Sequence, residues 1–573
     1  METQVTPQDG QLASELGQGQ RRLRGARLTI VMLALMLSLL LEALDQTVVG
    51  TALPRIIGNL HGFDRYTWAV TAYLLASTTM IPLAGKLSDQ FGRKWFLLGG
   101  IVVFLVASAL CGAATTINQL IAFRALQGLG AGVGISLVFT AVADIFPPLE
   151  RARWQGVLGS VYGVSSVAGP TLGGWLTDHG PLVGGFVTDA TRWRWVFLVN
   201  LPLGLVALAA LVAYLPADLS VRSSEFTGWA AIRRIDAAGA VLSVTASICF
   251  LVGLTQASEA GSTWTSPGVV ATPAAAVGLF VAFLIAERFA VEPILPFGLF
   301  RNRTFATDAV LTVFLYMSLF GAAFFVPLFL QGVLGVSPTE AGAAMTPFSI
   351  GIAGGNALAG LAISRLARYR AITIVGAVVM TAGVLLLTGM TLTTGVVTVA
   401  VFVALAGLGM GVLFTATSVA VQNSLPPTHL GVGFGIVRYL GQMGGTIGVA
   451  IVGTVVNYSF AREIARRLPQ GATRYLTQAQ LATVRNPQAL LSPSLHATLV
   501  QSAMRRTVSS IPGGAGRETS VAAATTKLHH VLTQVFEALR LSLSVSIRHG
   551  LETAALFCAG AIVASLFLRD ASQ

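Results

Sequence analysis

Leu44-Asp45-Gln46-Thr47-Val48-Val49-Gly50-Thr51-Ala52-Leu53-Pro54 closes an apolar run that begins at Ala26. About twenty consecutive apolar residues cross a bilayer as a helix, and this run is long enough. Glu42 and Asp45 interrupt it. An ionisable group at the centre of a membrane helix costs at least ~2.5–3.5 kcal/mol, so one that is kept marks a functional position. The rest of the chain reads as scaffolding that lets Asp45 face first one side of a membrane and then the other.

The surrounding composition agrees. Of 573 residues, 54% are hydrophobic and 10% charged, with a mean hydropathy of +0.74. A soluble domain carries about 25% charge, so this is a polytopic all-α membrane protein. The net charge of +12 sits in short basic clusters between apolar runs, which orient spans in a bilayer; no nucleic-acid surface is implied. Cys111, Cys249 and Cys558 each lie inside an apolar run, so no disulfide framework is expected. Residues 1–25 are polar, and no small-residue cleavage site follows the first span, which is read as retained.

Fourteen spans are predicted, near 27–52, 67–87, 95–114, 119–142, 154–177, 193–214, 234–256, 268–288, 305–334, 339–362, 372–391, 396–421, 431–457 and 547–568. Basic residues precede the first span and then occupy alternate short loops: Arg93 and Lys94, Arg151 and Arg153, Arg233 and Arg234, Arg301 and Arg303, Arg365 and Arg368. Both termini are thereby placed in the cytoplasm. Arg192 and Arg194, on an outer loop, dissent. The segment 459–546 is the one sizeable extracytoplasmic region. Its end puts Leu528, Leu532, Val535, Leu539 and Leu543 on one helical face, which suits either a helix lying on the outer membrane surface or the start of a long last helix.

The chain repeats itself. Phe123 through Val133 recurs as Phe402 through Val412, an offset of 279; Gly85 through Lys94 has an echo at Gly360 through Tyr369, and Ala168 through Gly174 another at Met443 through Val449, both at 275. Three echoes in order divide the chain into a cytoplasmic tail (1–26), a six-helix half (27–214), two inserted helices (234–288) and a second six-helix half (305–568) that contains the 459–546 segment. Parallel repeats about an axis normal to the membrane are a transporter architecture, with the site between the repeats near the midplane.

Four clusters carry the chemistry. Gly85-Lys86-Leu87-Ser88-Asp89-Gln90-Phe91-Gly92-Arg93-Lys94 is a tight turn, its glycines allowing close helices and Asp89 able to pair with Arg93. Arg124 in Arg124-Ala125-Leu126-Gln127-Gly128 sits in an apolar span. At 1.5 Å per residue, Asp45 and Arg124 lie about 8 and 10 Å outward of the middles of their spans, so the two can meet. Ser165-Ser166-Val167-Ala168-Gly169-Pro170-Thr171-Leu172-Gly173-Gly174 removes a backbone donor at Pro170, and its small residues at 165, 169 and 173 let another helix approach. Arg438 lies about 9 Å inward of the middle of its span, some 17 Å in depth from Asp45, and is read as a substrate-holding, gating or snorkelling cation. Tyr73 could line a cavity. Asp308 reads as an end residue of span 9, and Asp236 as a cap or loop residue before span 7.

These motifs, in this order, resemble the major facilitator superfamily, specifically its fourteen-helix drug:proton antiporter branch. The resemblance implies gating roles for Gly85, Asp89, Gly92 and Arg93, with Gln90 standing where the family often has a second Arg. It implies a proton-transfer role for Arg124, and an exporter motif at Gly169, Pro170, Gly173 and Gly174, with Ser165 replacing a frequent Gly. The expected function is proton-coupled export of amphipathic or cationic small molecules across a cell (inner) membrane. Asp45 would carry the proton, Glu42 on the same face would tune it or bind a second one, and Arg124 would favour the charged form of Asp45 until the halves rock. Gln127 and Tyr73 join Arg438 as substrate or gate residues. No Gly-x-x-x-x-Gly-Lys-Ser/Thr motif and no His/Cys cluster with metal-ligand spacing occurs, so no cofactor or metal is expected and an ion gradient supplies the work. Export of a lipid or another native metabolite is the alternative within transport. A non-transporting receptor or assembly factor is the alternative outside it.

Overall fold

The computed structural model describes residues 25–216, 237–258, 267–289, 297–469, 488–509 and 517–570, apart from Pro147, Ala367, 426–429 and Ser492, with a few positions between 470 and 487. Asp236 falls outside them, as do the side chains of Gly85 and Asp89 within their helix.

The described residues are almost wholly helical. Five helices precede the first irregular loop: α1 (Ala26–Leu60), α2 (Tyr66–Phe91), α3 (Arg93–Ala113), α4 (Ile117–Ile145) and α5 (Pro148–His179). Short turns at Asp189–Arg194 and Trp195–Leu198 lead into α6 (Asn200–Tyr214). Then come α7 (Ala237–Ser258), α8 (Pro267–Phe289), α9 (Arg303–Ala323), α10 (Pro338–Leu366), α11 (Tyr369–Thr388), α12 (Val396–Ser424) and α13 (Leu430–Arg467). A short α14 (Gln488–Leu491) and α15 (Pro493–Ser509) precede the 50-residue α16 (Arg517–Leu566). The described parts of the fourteen predicted spans are largely helical. Among the described residues eleven helices are long and apolar enough to cross a membrane; α2, α5 and α7 are not among them.

Local chemistry starts and stops these rods. Thr116 caps α4 by accepting from Gln119 N, and Asn302 caps α9 by accepting from Thr304 N at 3.0 Å while donating to Ser424 O of α12 at 2.6 Å. Gly92 closes α2 with φ +92°, a backbone conformation that needs glycine. Beyond α9, Phe325–Leu328 carries Pro327, and the ladder loosens into a π-turn at Phe329–Val333. Arg192 and Arg194, the dissenting cations, are held by local contacts. Arg192 pairs with Asp189 at 2.6 Å, and the Arg194 guanidinium lies 4.6 Å from the Phe186 ring centre.

The repeat seen in the sequence is a repeat of packing. A Cβ at Gly128 or Gly132 of α4 would lie 2.3–2.4 Å from the carbonyls of Tyr73 and Ser77 of α2. One at Gly407 or Gly411 of α12 would meet those of Phe348 and Ile352 of α10 at 2.0–2.1 Å. Gly130 abuts Phe104 of α3 as Gly409 abuts Met380 of α11. Bare backbone surfaces therefore seat equivalent helix pairs, as membrane helices without a hydrophobic drive require. The inserted α7 and α8 pack on each other, and α7 also touches α13 and α2.

Contacts joining the first six helices to the later ones gather at one end. Gln331 Nε2, borne on the π-turn, donates to Thr51 O at 2.7 Å, and Tyr66 Oη donates to Phe324 O at 2.7 Å. Thr339 donates to Asp178 Oδ2 through its backbone N at 2.8 Å and its hydroxyl at 2.5 Å. Thr171 and Thr346 share a hydroxyl hydrogen bond of 2.6 Å. Two turns from Thr171 on the same face of α5, Val164 is 61% exposed, and one turn beyond Thr346 on α10, Ile350 is 56% exposed. The two helices thus meet at the Asp178 end and diverge toward the Arg93 end.

The 459–546 segment resolves one alternative. Its last part belongs to the continuous α16, and Leu528, Leu532, Val535, Leu539 and Leu543 are buried in the protein core. Those residues pack against protein; they do not rest on a membrane surface.

Candidate functional site

The first-half core is built around a buried ion pair. Asp45 on α1 and Arg124 on α4 are 1% and 3% exposed, and Arg124 Nη1 donates to Asp45 Oδ2 at 2.5 Å. Gln127, one turn along α4, closes a ring: its Oε1 accepts from Arg124 Nη1 at 2.7 Å and its Nε2 donates to Asp45 Oδ1 at 2.8 Å. Gln127 Nε2 also reaches Ser108 Oγ of α3 at 2.8 Å. Asn200 Nδ2 at the start of α6 approaches Asp45 Oδ1 at 3.3 Å. Below the guanidinium lies the Tyr73 ring, 4.1 Å from Arg124 Cζ, with Phe197 at 5.8 Å on a second side. A charge so far from water is tolerated when it is paired and hydrogen-bonded: Asp45 accepts from Arg124, Gln127 and Asn200, and Arg124 donates to Asp45, to Gln127 and, through Nε at 3.4 Å, to Ala69 O.

Asp45, Arg124, Gln127 and Tyr73 are therefore brought together. Ser108 and Asn200 escaped the sequence reading. Their signal was present, since each is a hydrogen-bonding side chain inside an apolar run (Val106-Ala107-Ser108-Ala109 and Leu198-Val199-Asn200-Leu201).

Glu42 sits three residues before Asp45, 3% exposed, but outside this network. Its Oε2 has no hydrogen-bond partner among the described residues. A Cβ at Gly134 of α4 would stand 1.6 Å from its Oε1, so the glycine makes the room that this carboxyl occupies. Arg438 on α13 is part-buried and makes none of the bonds to Asp45 described above.

The glycine motif of α5 has two working faces. Gly169 and Gly173 lie against α1, where a Cβ would meet Thr47 Oγ1 at 1.9 Å and Val48 O at 2.4 Å respectively. Thr51 Oγ1 donates to Pro170 O at 3.1 Å on this face. Gly174 instead faces α10: a Cβ there would sit 2.2 Å from Pro338 O, and one at Gly342 would sit 2.1 Å from Pro170 O. One face binds α5 into its own half, while the other is the contact between halves.

At the Arg93 end, Arg93 Nε pairs with Asp144 Oδ2 of α4 at 2.8 Å. The expected Asp89 partner has no described side chain, and the observed partner lies 51 residues further along the chain.

Asp308, read from sequence as an end residue, is fully buried although it stands in the second turn of α9. Neither carboxylate oxygen has a hydrogen-bond partner among the described residues. Burying a polar group without a partner costs about 1–3 kcal/mol, so Asp308→Leu is expected to raise the melting temperature of the purified protein by a few degrees. A lower melting temperature would mean that the carboxyl supports the fold.

The chain is similar to known transporters. Residues 35–449 match the family model described as Major Facilitator Superfamily. "Multidrug transporter protein MdtP" of Bacillus subtilis (strain 168) is 35% identical over 472 residues, 81% of this chain and 83% of that one. "Multidrug resistance protein 3" of the same organism is 36% identical over 435 residues, 76% of this chain and 80% of its own length. Among solved structures, a bacterial homologue of the human lysosomal transporter Spinster, inward-facing and unoccupied, superposes with a TM-score of 0.60 at 16% identity, covering 95% of this chain and 98% of that one. A D-xylose–proton symporter reaches 0.53 at 13% identity, covering 75% and 90%. At such identities the structural likenesses speak for the fold alone.

Proposed function

The chain belongs to the Major Facilitator Superfamily, and from that premise we propose that it exports amphipathic or cationic small molecules in exchange for protons by alternating access. The observation that carries this reading is the buried, hydrogen-bonded Asp45–Arg124 pair inside an apolar helix bundle. A purely structural role for two opposed charges is costly, whereas a carboxylate that exchanges a proton for a cation needs both burial and a partner that can let go.

Protonation of Asp45 removes one charge of the pair. Arg124 is then left with Gln127 Oε1, Ala69 O and the Tyr73 ring, and the bond from α4 to α1 weakens. A cationic substrate that meets the charged carboxylate competes for the same site, so substrate and proton exclude each other. That exclusion is what couples the two flows. Both termini lie in the cytoplasm in this reading, from the basic loops. The divergent Arg93 end then opens inward, and the contacts at Asp178, Thr51 and Tyr66 form the closed outer side. The multidrug names of the two Bacillus relatives support drugs as the substrate class. In this reading a proton gradient supplies the work, and the host membrane is the cell (inner) membrane.

The test is uptake of a lipophilic cationic dye into inverted membrane vesicles carrying the full-length protein. An acid-inside pH gradient should drive accumulation that disappears when the gradient is collapsed. Accumulation indifferent to the gradient, or none for any member of a panel of amphipathic cations, would overturn antiport.

A further inference from the structure

A groove of about 520 Å³ lies far from the Asp45 site, between the Asp178-end portions of α13 and α16. Its walls change character along its length. Val455 and Leu556 stand at one extreme, then Tyr458 and Ser459, then His549, and finally Arg462 and Arg466. Leu556 is 70% exposed and Tyr458 48%, so the apolar part faces outward from the bundle. His549 Nδ1 and Ser459 Oγ lie 3.2 Å apart and join the two helices across the groove.

Charge is unbalanced at its far end. Glu463 faces Arg467 at 2.9 Å and Arg466 at 3.7 Å, and Glu552 is engaged by Arg548 at 3.0 Å. Glu463 and Glu552 themselves line the groove beside Arg462 and Arg466, and three arginines, Arg467 and Arg548 from outside the lining together with Arg466, already engage these two carboxylates. Arg462, exposed and directed into the groove, takes part in no ion pair among the described residues.

Depth matches this gradient to a bilayer. From Leu566, the last residue of α16 at the opposite end of the bundle, to His549 is 17 residues, about 26 Å of helix and close to the ~30 Å of a hydrocarbon core. His549 therefore stands at the hydrocarbon boundary, Leu556 about 10 Å inside it, and Arg462 beyond it at headgroup level. An exposed tyrosine at the interface with arginines above it is the arrangement that holds a lipid headgroup over its own acyl chain.

We infer that this groove is a binding site for one anionic phospholipid of the surrounding leaflet. Arg462, with Arg466 beside it, takes the phosphate; Tyr458 and Ser459 meet the glycerol level, and Val455 and Leu556 line the acyl chain. The inference is independent of what the protein transports.

The test uses full-length protein purified in detergent and supplied with dioleoyl-phosphatidylglycerol or dioleoyl-phosphatidylcholine, with bound lipid counted by native mass spectrometry and stability read as melting temperature. Phosphatidylglycerol is expected to be retained about tenfold more strongly than phosphatidylcholine and to raise the melting temperature more. Arg462→Gln, an exposed substitution that leaves the fold alone, should bring its retention down about tenfold. Arg505→Gln, an exposed arginine of α15 outside the lining, should leave retention unchanged. Equal retention of the two lipids, wild-type retention in Arg462→Gln, or equal protection by inorganic phosphate would each overturn the site.

Discussion

Asp45→Asn is expected to abolish uphill export while substrate exchange without a gradient survives. The amide keeps the size of the carboxylate and can still bond to Gln127 and Asn200, but it cannot exchange a proton. It also leaves Arg124 buried without a counter-charge, which costs about 3–5 kcal/mol and should lower the melting temperature markedly. Arg124→Ala leaves the opposite ion stranded and should cost a similar amount. The double variant Asp45→Asn/Arg124→Ala removes both charges, so its loss should be smaller than the sum of the singles by about 1–3 kcal/mol. Additive losses would separate the two residues. Uphill export by Asp45→Asn at the wild-type rate would remove Asp45 from the coupling role.

Gly174→Leu and Gly342→Leu should shift the protein out of the conformation described here. Each glycine faces a backbone carbonyl of the other half at little more than 2 Å from where a Cβ would stand, and a carbonyl cannot step aside as a flexible side chain can. Overpacking of this kind costs about 1–3 kcal/mol, roughly a tenfold to hundredfold shift in a two-state equilibrium. A cysteine introduced at Gln331, buried in the same junction, should then become accessible to a membrane-impermeant maleimide. Gly173→Leu is the informative contrast. Its neighbour is Val48 O within the same half, a contact kept in both conformations, so the expected result is loss of folded protein without a change in labelling. If Gly174→Leu behaves like Gly173→Leu, the two faces of α5 are not functionally distinct.

Much of this molecule was legible in the linear chain because the bilayer imposes a local rule. Each crossing segment must satisfy its own backbone and remain apolar for about twenty residues, so an all-helical membrane fold could be read from hydropathy alone. The repeat was legible because close helix approach demands glycine at fixed spacing. Asp45 and Arg124 could be paired by depth, since 1.5 Å per residue places a side chain along the membrane normal without any tertiary information.

Rotation about a helix axis and the choice of neighbour are a different matter. Both follow from many small packing contacts summed over several helices, and sequence spacing does not report them. That is why Asn200 and Ser108 joined the Asp45 network only in three dimensions. The same limit hid the burial of Asp308 and the separate duties of Gly173 and Gly174, adjacent in sequence yet facing different halves. Lipid and protein core are equally apolar, so the leucine stripe of α16 reads the same whether it rests on a membrane or packs inside the protein. Only the tertiary structure, by placing other helices against that stripe, decided between them.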